Sequence, residues 1–190
     1  MNKKITTRQI VITGLMLALE IILQIIGNYV QLGPVSLNLS LVAVVMAAVL
    51  AGPLSGAVVG FFNGIMVIVS PSTLSLFMTT SVLGTFLACL TKCTVAGLVA
   101  GFVFKALKDK NKVLALLLAG IVVPVINTGL FIIYCLLFFR PLLERLISPE
   151  YANIYIFLLL GFIGWNFIFE VISTPILSTS VGLAVLREKK

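Results

Sequence analysis

Between Val113 and Phe139 the chain runs for 27 residues without a single charged side chain. As a helix that run is about 40 Å long, more than the roughly 30 Å of a bilayer's hydrocarbon core. Similar apolar stretches run about Val11 to Gly27, Leu37 to Ala51, Leu54 to Val69, Leu74 to Phe104 and Ile154 to Leu186. Backbone amides and carbonyls in lipid must be satisfied internally, so such stretches fold as helices. With 61% hydrophobic residues, 10% charged residues and a mean hydropathy of +1.23, the chain is far from a soluble domain. The expected fold is an all-α integral membrane protein, a six-transmembrane-helix bundle with both termini cytoplasmic. Its spans are expected at about 9–28, 37–51, 54–69, 74–106, 112–139 and 153–186, one membrane domain over residues 1–190 with no room for a second. The first stretch contains Glu20 and ends in GNYVQLGP instead of a small-residue cleavage site, which reads as a retained helix.

The second and third stretches meet at AGPLSG, where Gly52-Pro53 interrupts the helical ladder, giving either one kinked helix or two short ones. Charge decides. Ten of the 13 basic residues fall in three segments: Lys3, Lys4 and Arg8; Lys105, Lys108, Lys110 and Lys112; and Arg187, Lys189 and Lys190. Six spans put all three on one side, which the positive-inside rule makes cytoplasmic; five would not. The net charge of +7 is thus mostly a topology signal, and no nucleic-acid partner is expected. The chain has no His and no phosphate-binding loop, so an imidazole base, a His metal site and an ATPase motif are all missing. No cofactor, catalytic residue or metal ligand is expected.

Helical rise gives each intramembrane polar group a depth. Glu20 lies 12 residues beyond Arg8, about 18 Å in, with Gln24 and Asn28 following on the same face. Lys92 is 13 residues from Lys105, about 20 Å deep; Asn127 is 15 from Lys112, about 22 Å; Glu170 is 17 from Arg187, about 25 Å. Asn166 is one turn further out. The cytoplasmic halves, such as VAGLVAGFVF, carry no strongly polar group. This asymmetry predicts a polar pocket reached from outside over a closed inner half. A charged residue at mid-membrane is disfavoured by about 2.5–3.5 kcal/mol, so Lys92 must face inward. Two readings stand: a structural ion pair with Glu20 or Glu170, or a solvated cavity in which Lys92 meets an anionic group of a ligand and a carboxylate accepts hydrogen bonds. The candidate substrate-binding residues are Lys92, Asn127, Asn166 and Glu170, with Glu20, Gln24, Asn63 and Trp165. Trp165 also suits an interface anchor.

The outer loop NYVQLGPVSLN, with its Gly33-Pro34 turn, and the segment SPSTLS suit lids over an outward pocket. Gly56, Gly60 and Gly64 recur every four positions, as do Gly97 and Gly101, allowing close backbone approach. Gly14 and Ala18 leave a smooth strip on the first helix, open to another membrane protein. Cys89 and Cys93 share a face but have no further ligand nearby, which favours packing over metal binding.

Length, six helices, the short central pair joined by LAGPLSGAVVG, the strip GLMLA and the phrase PVINTGLFIIYCLLFF (124–139) together make the whole chain resemble the substrate-binding S components of energy-coupling factor (ECF) vitamin transporters. The resemblance implies a non-enzymatic subunit that captures a vitamin or related micronutrient near the outer face. It also implies that the subunit docks through the first-helix strip, here Gly14 and Ala18 where the family usually has Ala-x-x-x-Ala, on the transmembrane coupling protein EcfT, driven by two ATPase subunits. The subunit then topples to release substrate inside. The phrase at 124–139 looks like that of members from Gram-positive bacteria, which implies a plasma-membrane location there. One buried cation with two carboxylates and two amides suits a small polar ligand bearing a carboxylate or phosphate. Pantothenate fits best; biotin, a pyridoxine-pathway compound, a folate or a nucleobase-like precursor are alternatives. Two rivals come from other classes. One is a self-sufficient proton-coupled secondary transporter using Glu20 or Glu170. The other is a membrane enzyme, an intramembrane serine protease with a Ser-Lys type dyad, for which Lys92 is the candidate lysine with Thr91, Ser81 and Thr94 nearby.

Overall fold

The computed structural model describes residues 6–29 and 38–187. Lys3, Lys4, Lys189, Lys190 and the Gly33-Pro34 turn lie outside the described residues. Among the described residues the regular elements are all helical: α1 (Thr7–Asn28), α2 (Leu41–Ala51), α3 (Pro53–Ile68), a π-helical turn (Thr73–Met78), α4 (Val82–Leu107), α5 (Lys112–Phe138), α6 (Arg140–Leu146), α7 (Ile154–Ile156) running into a second π-helical turn (Phe157–Phe162), and α8 (Gly164–Arg187). Four helices, α1, α4, α5 and α8, are long and apolar enough to cross a membrane; α2 and α3 are shorter apolar helices.

Local chemistry sets the boundaries. Thr6 and Gln9 form a reciprocal capping box at the start of α1, with Thr6 N–H donating to Gln9 Oε1 at 3.0 Å. Gln9 Nε2 also donates to the Ala51 carbonyl at 2.9 Å, so one side chain ties the start of α1 to the end of α2. The α2/α3 break falls at Gly52, whose φ of 105° is open to glycine and strained for other residues, and Pro53 opens α3 where its missing N–H costs nothing. Ser40 against Asn63 and Ala48 against Gly56 show α2 and α3 folding back as an antiparallel hairpin. α2 packs on α1, α3, α4, α5 and α8 and is buried on nearly every side, as a helix apolar all round should be.

The glycine repeat of α3 faces α4. A Cβ at Gly56, Gly60 or Gly64 would strike the carbonyl oxygen of Gly97, Cys93 or Cys89 in turn, and one at Gly101 would strike Pro53. The two antiparallel backbones therefore touch along their length, and the small residues serve intramolecular packing. Gly120 of α5 meets Pro175 of α8 in the same way.

Two expected spans are interrupted. The stretch 74–106 divides at Thr79–Ser81, where Ser81 caps α4 by accepting from Gly84 N at 3.2 Å. The stretch 153–186 divides around Ile163, and Asn153 caps its first part by accepting from Tyr155 N and Ile156 N, each at 3.0 Å. Hydropathy averages over both stretches because the hydroxyl and amide caps carry no charge.

These contacts bring Arg8, the Ala51–Pro53 turn, the α4/α5 connection and the end of α8 to one end of the bundle. An apolar core built on α2, with Met46, Ala100, Leu116 and Ala119, fills that basic end. A second, aromatic cluster around Phe77, Phe139 and Phe162 lies towards the opposite end. Polar side chains collect beside the two cores.

Candidate functional site

The buried stripe of α1 is Met16, Glu20, Gln24 and Gly27, so its polar face looks inward while Ile10, Val11, Leu15 and Ile22 face outward. Glu20 is 0% exposed. Opposite it, Asn63 of α3 stands among four oxygens from two segments, α1 and the residues just before α2. Its Nδ2 lies 3.1 Å from Glu20 Oε1, 3.4 Å from Gln24 Oε1, 3.3 Å from Asn38 Oδ1, and in very short contact with Ser40 Oγ. An amide has two hydrogens to give, so it serves these acceptors in alternation. Ser40 Oγ lies 2.9 Å from Gln24 Oε1 and 2.6 Å from Asn38 Oδ1, and Asn38 Nδ2 donates to Asn63 Oδ1 at 3.2 Å. The chain of bonds continues to α8, where the Asn38 backbone N–H donates to Glu170 Oε1 at 3.1 Å. Four elements distant in sequence are thus joined through one buried polar network.

Beside this network lies a cavity of about 50 Å³. Gln24 and Asn38 border it from the network side; Lys92 from α4, Asn127 and Thr128 from α5, and Asn166 and Glu170 from α8 supply its polar walls. Val67, Phe131, Ile163 and Phe167 are apolar counterparts, and Ser72 and Thr73 enter from the first π-helical turn. Five of the eight expected residues, Lys92, Asn127, Asn166, Glu170 and Gln24, therefore meet around one space. Water's share of liquid volume is about 30 Å³ and small-molecule pockets run to about 300–1,000 Å³, so in this conformation the cavity has room for little more than a water molecule.

Lys92 is 8% exposed, and among the described residues it makes no ion pair: the one ion pair there joins Arg140 and Glu144, on the surface. Neither expected partner, Glu20 or Glu170, is within salt-bridge distance. The ammonium instead sits 4.7 Å from the centroid of the Phe131 ring, a cation–π contact. Glu170 accepts from Asn38, and Glu20 lies behind Asn63 in the network.

Three expected residues do not line the cavity. Glu20 and Asn63 support it from behind. Trp165 is 69% exposed: one residue is about 100° of helix, so Asn166 facing the cavity turns its neighbour outward, which corrects its assignment to the pocket and favours the interface anchor. Conversely, Ser40 carries no signal in the sequence, and Asn38, Ser72 and Thr73 stand out there only as members of the segments NYVQLGPVSLN and SPSTLS; their individual places emerge from the fold. Cys93 is fully buried, its Sγ 3.5 Å from Asn127 Oδ1, and no cluster of metal-ligating residues occurs among the described residues. Gly14 has nothing within 4 Å of a built Cβ and, with Ala18, faces outward on α1.

A bundle with four helices long and apolar enough to cross a membrane, enclosing among the described residues a polar cavity lined from several of them, defines a multi-pass membrane protein. The family follows from the sequence as a whole: residues 8–180 match the ECF transporter, substrate-specific component family, and the chain belongs to it. It is accordingly a membrane subunit that binds a small molecule and works with the energising module of such a transporter, and it is not an enzyme. No curated protein and no solved structure matches the chain.

Proposed function

We propose that the cavity around Lys92 is the substrate site and that it captures a small, water-soluble, anion-bearing micronutrient, pantothenate fitting best, from the outer side of a Gram-positive plasma membrane. The observation that carries this reading is the buried Lys92 ammonium, held over a phenyl ring with no carboxylate partner among the described residues, beside amides of two helices. A substrate carboxylate or phosphate there would complete a charge-assisted hydrogen bond. Glu170, Asn127 and Asn166 then receive or supply hydrogen bonds to the rest of the molecule.

In this reading α1 to α5 and α8 give six spans, with the basic end cytoplasmic under the positive-inside rule. The site lies towards the other end, and the α2-centred core seals the route inward until the subunit is reoriented. Gly14 and Ala18 form the face for the transmembrane coupling protein EcfT, which two ATPase subunits drive. Gly14 borders an apolar groove of about 320 Å³ between α1 and α3, with Leu17, Leu54 and Val58, a shape suited to another membrane helix.

The test is equilibrium binding of radiolabelled pantothenate to the purified full-length chain, with uptake measured in cells with and without the coupling protein and ATPases. Saturable binding and uptake that needs both partners support the proposal. Uptake by the chain alone, abolished by collapsing the proton gradient, would replace it with the proton-coupled transporter.

A further inference from the structure

Lys92 and Phe131 border two spaces whose other walls differ: amides and a carboxyl group contribute to one, rings and small side chains to the other. The cavity already described lies on one side. On the other is a chamber of about 30 Å³, and Val67, Thr73, Lys92 and Phe131 line both. The second chamber is closed by Phe77, Phe139, Ala88, Cys89 and Thr85. Its three rings pack edge to face around Phe77, with centroids 5.5 Å from Phe131 and 5.0 Å from Phe139. Its hydroxyls have partners within the chain: Thr85 Oγ1 donates to the Ser81 carbonyl at 2.7 Å, and Thr73 Oγ1 accepts from Ser70 Oγ at 2.9 Å. Apart from Lys92 and the Thr73 hydroxyl at its edge, what faces a guest is methyl, thiol and ring surface.

From this juxtaposition we infer that the substrate is two-ended: beside its anionic group it carries a compact apolar group, a branched alkyl or a ring edge, which enters the chamber walled by Phe77, Phe131 and Phe139 while its polar end faces Glu170 and Asn127. The inference rests on the proposed substrate site and narrows its ligand class. Lys92 is the partition. An arriving anion draws the ammonium off the Phe131 ring, because a charge-assisted hydrogen bond is stronger than a cation–π contact. The uncovered ring then becomes a wall for the apolar group. A ligand hydrophilic throughout gains nothing from this side and leaves desolvated aromatic surface without a partner.

The test uses two sets of anions on the full-length chain in nanodiscs, with binding read by calorimetry. The first set is pantothenate, nicotinate and biotin; the second is gluconate, citrate and the pantothenate analogue lacking its two methyl groups. Binding confined to the first set is expected. Ala88→Val, which narrows the chamber, should weaken that binding about tenfold, and Phe77→Leu, which widens it, should shift preference towards bulkier members. Opposite responses from the two variants separate chamber occupancy from general damage to the fold. Lys92-dependent binding of the second set, indifferent to both variants, would overturn the inference and leave the proposed site standing. Binding unaffected by Lys92→Ala, or none by either set, would overturn the site itself.

Discussion

The Asn63 amide nitrogen on α3 lies 3.1 Å from Oε1 of Glu20 on α1, and among the described residues the other oxygen of that carboxylate has no hydrogen-bond partner. Asn63 is thus the sole described donor to a fully buried acid, while also serving the loop before α2. Removing it leaves the Glu20 carboxyl without a described donor and leaves Ser40 alone to serve Gln24 and Asn38, a loss of about 1–3 kcal/mol for each acceptor left unserved. Asn63→Ala should therefore lower the thermal unfolding midpoint of the purified protein by several degrees. A midpoint equal to that of the native chain would show that the network does not stabilise the bundle.

Glycines on two helices should respond in opposite ways. Gly60→Ala drives a methyl into the Cys93 carbonyl region and should destabilise by about 1–3 kcal/mol, because two backbones must separate. Gly14→Ala meets open space within a helix and should stabilise by about 0.5–1 kcal/mol. Chemical denaturation of both variants in one detergent checks the contrast.

Binding and coupling should also separate. Gly14→Leu fills the outward strip of α1 far from the cavity, so pantothenate binding should persist while copurification with the coupling protein falls. Loss of binding in this variant would place the strip in the substrate site instead.

Trp165→Ala offers a check on direction. The side chain faces outward, so the variant should bind substrate within about twofold of the native chain, an energy change well under 1.4 kcal/mol. Insertion depth, read by fluorescence quenching with membrane-embedded quenchers, needs the native Trp165 as its reporter.

Much of this molecule was legible in the sequence because lipid punishes polarity. Lys92, Glu20, Gln24, Glu170, Asn127 and Asn166 stood out against apolar runs, and burial follows from the cost of leaving them in hydrocarbon. Their partners were harder to read. Rise per residue gives depth but not rotation, so Trp165 and Asn166 could not be separated, and Glu20 was indistinguishable from Glu170 as a cavity wall. Asn38 and Ser40 sit where polar residues are ordinary, so their part in the network emerges only when the α2/α3 hairpin brings them to Asn63. The breaks at Thr79–Ser81 and Ile163 were hidden for a related reason: a hydroxyl cap or a π-helical turn changes backbone direction with little change in hydropathy.

The central claim, that a buried ammonium reads the charge of the substrate, is tested most directly by mass spectrometry of small molecules that copurify with the chain and with Lys92→Ala. The native chain should retain an organic anion that the variant, folded to the same midpoint, has lost. Equal retention of that molecule by both, or retention of one without an anionic group, would contradict it.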